Sequence, residues 1–524
     1  SESDAQVGDR ANDAHRINGN ELGALVVGEG ANLALTQRAR IEYSLSGGRC
    51  NADFIDNSAG VDCSDHEVNI KILLGDVERH GGMTRPERND LLREMTDDVA
   101  ALVLRDNYLQ SQTLSVTNML TQHLTDRLAR NMRALEKTGR ASRRLDALPS
   151  DDELADRQRT GNGFVRPELC VLMAHAKNWL FEMLVGSDLP DSPLSRSDLL
   201  GYFPRTLTER FERYILAHRL RREITATVIT NELINRVGVA FVGEVSEATG
   251  SSPAAVALGF MAAREIARVR ELWSEIEALD NRVPSATQAE LLVECSRLLE
   301  RVTTWLLHEH GERAAHEHVE SYRAGLAELS LDLPGMLSAE ERSALQEKSG
   351  GWNQLGVPAP LAERIASLRY LLPAVDIVRV AELGGVGLVE ASRLYSLIGA
   401  RFGLQWLRSA TQSLPTRRAW DRQAVAGLRD ELFATQRAFT LAILRETPSD
   451  RDPSGRVNAW REARSGALLR WEQLLGELRA SANLDFAMIT VASRQLAGMI
   501  GAPAPVVATV AAPPRSTTSL RSAS

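Results

Sequence analysis

At 524 residues the chain is long enough for several domains of roughly 100–200 residues each. Its 44% hydrophobic and 25% charged content is ordinary for a globular protein, and a net charge of −8 argues against a nucleic-acid polyanion as main partner. No apolar run reaches the roughly 18 residues of a membrane span, and no signal-peptide pattern opens the chain.

In chain order, residues 4–18 read as the end of a helix or a loop. Ala24 to Val27 form a short apolar run that stops at Gly28, the pattern of a buried parallel strand. Thr36 to Leu45 read as a helix closed by Gly47 and Gly48. Cys50 to Ile55 read as a second short strand. The expected fold of residues 1–80 is therefore an α/β remnant, one β-α-β step of a doubly wound sheet. One such step cannot bury itself, so the segment should be poorly stable alone.

From about residue 85 the pattern turns to helix. Pro86 fits the first turn of a helix, where a missing N–H costs nothing. Apolar residues recur every three or four positions through 91–104, 113–136, 167–185, 207–237, 254–279 and 286–310, then through 359–382, 389–412, 421–445 and 457–479. Breaks are expected at 137–163, 186–206, 281–285 and 333–357. The last, with Pro334-Gly335 and Gly350-Gly351, suggests helical domains at 81–340 and 341–500. Residues 501–524, rich in Ala, Pro, Ser and Thr, read as a disordered tail.

Four cysteines, Cys50, Cys63, Cys170 and Cys295, show no C-x-x-C spacing. That excludes a disulfide framework or a thiolate metal site and fits a reducing cytoplasm. The pairs His308/His310 and His316/His318 place histidines two apart, which diverge on a helix, so a solvated polar face is expected there rather than a metal centre.

Two short segments carry the chemistry: Val27-Gly28-Glu29-Gly30-Ala31-Asn32, and Asp56-Asn57-Ser58-Ala59-Gly60-Val61-Asp62-Cys63-Ser64. Glycines let a backbone approach a cofactor, and asparagine offers both a donor and an acceptor to a carboxamide. Each segment taken alone is weak evidence, since Asn57 and Ser64 could simply satisfy loop backbone groups. Together they resemble the closing part of the nucleotide-binding domain of glutamate dehydrogenases, where one strand ends in E-G-A-N and a second runs into P-D-x-x-A-N-A-G-G-V-x-x-S. The variant here, followed by Asp65-His66-Glu67-Val68-Asn69-Ile70-Lys71, is similar to the large bacterial NAD-dependent enzymes, as is the long helical extension with Arg166-Pro167-Glu168-Leu169.

That resemblance implies oxidative deamination of L-glutamate to 2-oxoglutarate and ammonia with NAD as cofactor. By position it assigns Gly30, Asn32 and Asn57 to the cofactor, and Asn57 and Ser64 to the substrate, with Glu67 matching an acid of unassigned role. It also implies a homo-oligomer assembled through the helical region. Asp56, Ala59, Asp62-Cys63 and Asp65-His66 depart from the smaller enzymes, and Asp62, Asp65 and His66 are expected to form a structural polar network. No G-x-G-x-x-G motif follows a strand, and no counterpart of the family's catalytic lysine or proton-shuttling acid is found. The expectation is thus a fragment with part of an active site and no catalytic residue of its own. The rival reading is a helical oligomerisation or regulatory scaffold that keeps a vestigial nucleotide-binding loop.

Overall fold

A computed structural model describes residues 3–30, 34–314, 316–331, 333, 337, 339–416 and 419–500, with the side chains of 313, 314 and 419 left aside. The chain divides into two compact units, residues 1–375 and 376–524. Among the described residues, both units are built of helices and no strand is present.

This corrects the expected α/β remnant. The two apolar segments do meet in parallel, but only through a single bridge between Val26 and Arg49. The Val27 N–H donates to the Arg49 carbonyl at 2.9 Å, and the Arg49 N–H to the Leu25 carbonyl at 3.0 Å. Leu25 is 83% exposed and Val26 67% exposed, so no sheet face covers them. A lone pair of short strands is marginal without neighbouring strands. Residues 50–56 are pinned by side chains instead: the Ala52 N–H meets Cys170 Sγ at 3.4 Å, and Asn51 Nδ2 donates to Asp56 at 2.6 Å. Asp53–Asp56 consequently closes into one helical turn. No Rossmann sheet is present among the described residues.

The first unit contains α1 (Gln37–Leu45), α2 (Ser58–Arg79), α3 (Arg85–Glu94), α4 (Thr96–Met119), α5 (Thr121–Lys137), α6 (Asp151–Arg159), α7 (Arg166–Val185), α8 (Arg196–Gly201), α9 (Arg205–Leu216) and α10 (Arg221–Val237). Helices from Phe241–Thr249 to Ala359–Ser367 follow. Thr36 caps α1 by accepting the Ala39 N–H, and Thr84 with Glu87 forms a capping box at the start of α3, with Pro86 in its first turn. Several expected helices are subdivided. Leu120 separates α4 from α5, and Arg268, in the left-handed region at φ 50°, ends Pro253–Ile266. Three expected breaks hold helices, Asp151–Arg159, Arg196–Gly201 and Ala339–Gln354.

Helix α2 enters its core through a stripe at Ile70, Leu73, Leu74 and Val77, packed with Leu91, Met95, Leu199, Phe203, Leu207 and Phe211 from α3, α8 and α9 and the segments beside them. The i, i+3, i+4, i+7 spacing puts all four on one face. Each buried aliphatic side chain contributes about 1.5–3 kcal/mol. Only the C-terminal half of α2 is held this way.

The second unit, described by itself, centres on Phe402, Phe439 and Trp460, whose rings lie 4.6–5.9 Å apart between centroids. Buried Asp376 accepts from Tyr395 Oη at 2.9 Å and pairs with Arg437. Residues 501–524, expected as a tail, lie outside the described residues.

Candidate functional site

The two motif segments are held side by side by one carboxylate. Asp56 accepts the Glu29 N–H on Oδ2 at 2.9 Å and the Asn51 amide on Oδ1 at 2.6 Å. Glu29 is buried; its carboxylate accepts the N–H groups of Ala34 (3.2 Å) and Leu35 (3.0 Å) and pairs with Arg40 at 2.5 Å. Arg40 also reaches Asp53 at 2.9 Å. Burial alone would raise the Glu29 pKa, but Arg40 and the two backbone donors outweigh it and hold the carboxyl below its usual range. Arg166 ties this assembly to α4, donating to Asn51, to Ser115 Oγ at 2.9 Å and to Ser111 at 3.2 Å.

This framework presents Gly28 and Gly30. A Cβ on either would meet nothing within 4 Å, so neither glycine serves internal packing. Asn57 sits between the turn Asp53–Asp56 and α2, half-buried, and its side-chain amide bonds to no other described residue. Ser64 is exposed on α2, two turns beyond Asn57 and therefore on the same side of the helix. It belongs to a helix and not to the expected loop. Asn32 lies outside the described residues. Glu67 is exposed and pairs with Lys71 one turn along. The glycines with open flanks and the unpartnered Asn57 amide suit one edge of a dinucleotide site; the sequence carries no glycine-rich turn for the pyrophosphate.

Continued towards the N-terminus, the stripe of α2 runs from Ile70 to buried His66 and half-buried Asp62. Polar groups thus occupy positions where the pattern calls for aliphatic ones. His66 is 1% exposed and stacks on Tyr202 at 4.3 Å. Neither His66 ring nitrogen has a hydrogen-bond partner, nor does Asp62 Oδ2. His66 Nε2 stands 4.0 Å from Asp62 Oδ1, and Asp106 of α4 joins them. Lys177 of α7 faces the two carboxylates.

Burial pushes the Asp62 carboxyl up to about 7, helped by repulsion from Asp106 and Asp65 and opposed by Lys177. Burial also takes His66 down to about 4 and Lys177 down to about 8, the latter against the pull of Asp106 and Asp62. Asp106 is raised for the same reason, against Lys177 and Arg105. The expected structural network among Asp62, Asp65 and His66 is not what forms, because His66 makes no hydrogen bond. Asp106, Lys177 and Tyr202 escape a sequence reading because they come from three other segments. The interrupted stripe on α2 is the signal that points towards them.

Other features lie away from these residues. A cavity of about 510 Å³ is lined by charged groups such as Arg264, Arg270 and Glu271 and by no motif residue. Its Arg264 and Arg270 are already paired with Asp198 and Glu232. His310 and His318 stack at 4.4 Å, and His310 Nε2 lies 3.0 Å from Tyr322 Oη, so this pair forms an aromatic cluster in place of the expected solvated face.

Two family models match the chain. "Bacterial NAD-glutamate dehydrogenase, catalytic domain" covers residues 1–117, and "Glutamate dehydrogenase, C-terminal" covers residues 161–498. The NAD-specific glutamate dehydrogenase of Pseudomonas aeruginosa is 40% identical over 496 residues, and that of Halomonas elongata 38% over 495; each match takes in 94% of this chain and 31% of the relative. The enzyme of the same name from Mycobacterium tuberculosis is 34% identical over 500 residues, 95% of this chain and again 31% of its own. The chain therefore spans about a third of the length of these relatives. With the family model matched across most of its helical region, the chain belongs to the glutamate dehydrogenase C-terminal family.

Proposed function

We propose that this chain supplies the C-terminal part of an NAD-dependent glutamate dehydrogenase, which converts L-glutamate, NAD⁺ and water to 2-oxoglutarate, ammonium, NADH and a proton. The observation that carries this reading is the match of residues 1–117 to the bacterial catalytic domain, the stretch in which Asp56 clamps the two motif segments together. In this reading NAD, when bound, accepts the hydride from glutamate Cα. Gly30, and Asn32 by its position in the motif, are assigned to the cofactor. Asn57 orients cofactor and substrate through its amide, and Ser64 donates its hydroxyl to a glutamate carboxylate. No acid or base from this chain is assigned to the proton transfers. The helical region would assemble copies of the protein, since extended helical surfaces suit oligomer interfaces. No helix among the described residues is long and apolar enough to cross a membrane, and with four free cysteines we place the enzyme in a reducing cytoplasm.

The test is glutamate-dependent NADH formation by the native gene product, purified through a C-terminal tag, beside its Asn57→Ala variant. Activity in the parent and a loss of kcat/KM in the variant support the reading. A folded parent without activity would overturn it and turn attention to the scaffold alternative, which the three enzyme relatives do not favour.

A further inference from the structure

The polar stripe on α2 asks for a ligand. His66 is 1% exposed, yet both of its ring nitrogens lack a hydrogen-bond partner, as does Asp62 Oδ2. Buried imidazoles ordinarily bond at one nitrogen at least. Asp106 and Lys177 make no hydrogen bond or ion pair with any described residue, so Lys177 faces the carboxylates without bonding them. Three carboxylates (Asp62, Asp65, Asp106) gather around the imidazole, with Lys177 and Arg105 as the cations that act on them.

We propose that Asp62, His66 and Asp106 bind one divalent cation. One donor atom from each lies within 4.8 Å of the others, and among the described residues no other trio of potential ligands does so. Bonds of about 2.0–2.2 Å to oxygen or nitrogen put donors round one ion no more than roughly 4.4 Å apart. The 4.0 Å between His66 Nε2 and Asp62 Oδ1 already meets that limit, and the separations to Asp106, at most 4.8 Å, exceed it by no more than a few tenths of an ångström. The helix makes the first two donors a natural pair, because residues 62 and 66 are one turn apart on one face. Tyr202 fixes the imidazole by stacking on it. Asp106 arrives from α4, so the ion would join the weakly packed N-terminal half of α2 to its neighbour. Two carboxylates and one imidazole suit Mn²⁺, Fe²⁺ or Zn²⁺ better than a thiolate-seeking metal. Lys177 and Asp65 stand outside this coordination sphere.

The claim is independent of the proposed enzymatic activity and is read without it. The full chain is stripped with EDTA and titrated with MnCl₂, with the loss of the free Mn²⁺ paramagnetic signal as the readout. One Mn²⁺ per chain is expected, displaced by Zn²⁺ and accompanied by a rise in Tm. Asp106→Asn and Asp62→Asn preserve shape, and each should weaken binding by more than the roughly tenfold that loss of an outer-sphere partner costs. Both should also abolish the Mn²⁺-dependent rise in Tm. If one variant fails to fold, the other carries the test. No binding by the parent chain up to about 1 mM Mn²⁺, the weak end of protein cation sites, overturns the proposal. Equal binding by the parent and both variants overturns it too.

Discussion

The carboxylate of Glu29 meets the guanidinium of Arg40 at 2.5 Å with both side chains buried, 2% and 4% exposed. That pair, with Asp53 on the far side of Arg40, fixes the turn that presents Gly28 and Gly30. Removing one partner of a buried ion pair typically costs about 3–5 kcal/mol because the other charge is stranded. Glu29→Gln should fall at the lower end of that range, since Asp53 still faces Arg40. Denaturant unfolding of the first unit checks the size of the loss.

The same pair should make the protein acid-sensitive in a defined direction. Glu29 titrates below its usual range in the folded chain, so it binds protons more readily when unfolded. Its contribution is therefore complete above the ordinary glutamate value of about 4.3 and fades as pH falls through the lower folded value. The stability gap between the parent and Glu29→Gln should be constant near neutrality and shrink in that acid window. A gap that widens as pH falls would contradict the assignment.

Cys63 offers a reporter beside the candidate site. It is exposed, whereas Cys50, Cys170 and Cys295 are buried. Burial raises all three buried thiols, Cys170 and Cys295 to about 12. Iodoacetamide at pH 8 should thus add one carbamidomethyl group to the native chain, at Cys63, and four after denaturation. In the intact enzyme, NAD and glutamate together should slow that reaction; mass spectrometry reads both outcomes.

Ser64 is exposed and mid-helix, so Ser64→Ala should change stability by less than about 0.5 kcal/mol. A hydrogen bond to a charged carboxylate is worth about 1.5–3 kcal/mol. The glutamate KM of the intact enzyme should therefore rise roughly 10- to 100-fold, with Tm unchanged. An unchanged KM would remove Ser64 from the substrate site.

Gly30 gives the matching test on the cofactor side. Open space surrounds the place where a Cβ would stand, and Gly30 does not adopt positive φ, so Gly30→Ala should fold normally. Its effect should appear as a higher KM for NAD with little change in Tm.

Much of this protein is written locally. The stripe at Ile70, Leu73, Leu74 and Val77 announces α2, Pro86 and the Thr84–Glu87 box announce α3, and the motif segments carry the family resemblance. Those signals depend on neighbours three to seven residues away, which a sequence displays. The strand character of Ala24–Val27 was misleading for the opposite reason. A parallel strand exists only if distant segments pair with it, and among the described residues only Arg49 does. The meeting of Asp62 and His66 with Asp106, Lys177 and Tyr202 is likewise a product of packing: residues up to 140 positions apart converge because α2, α4, α7 and the end of α8 come together. Helix periodicity can show that a polar residue occupies a buried stripe; only tertiary structure decides which charges it then faces.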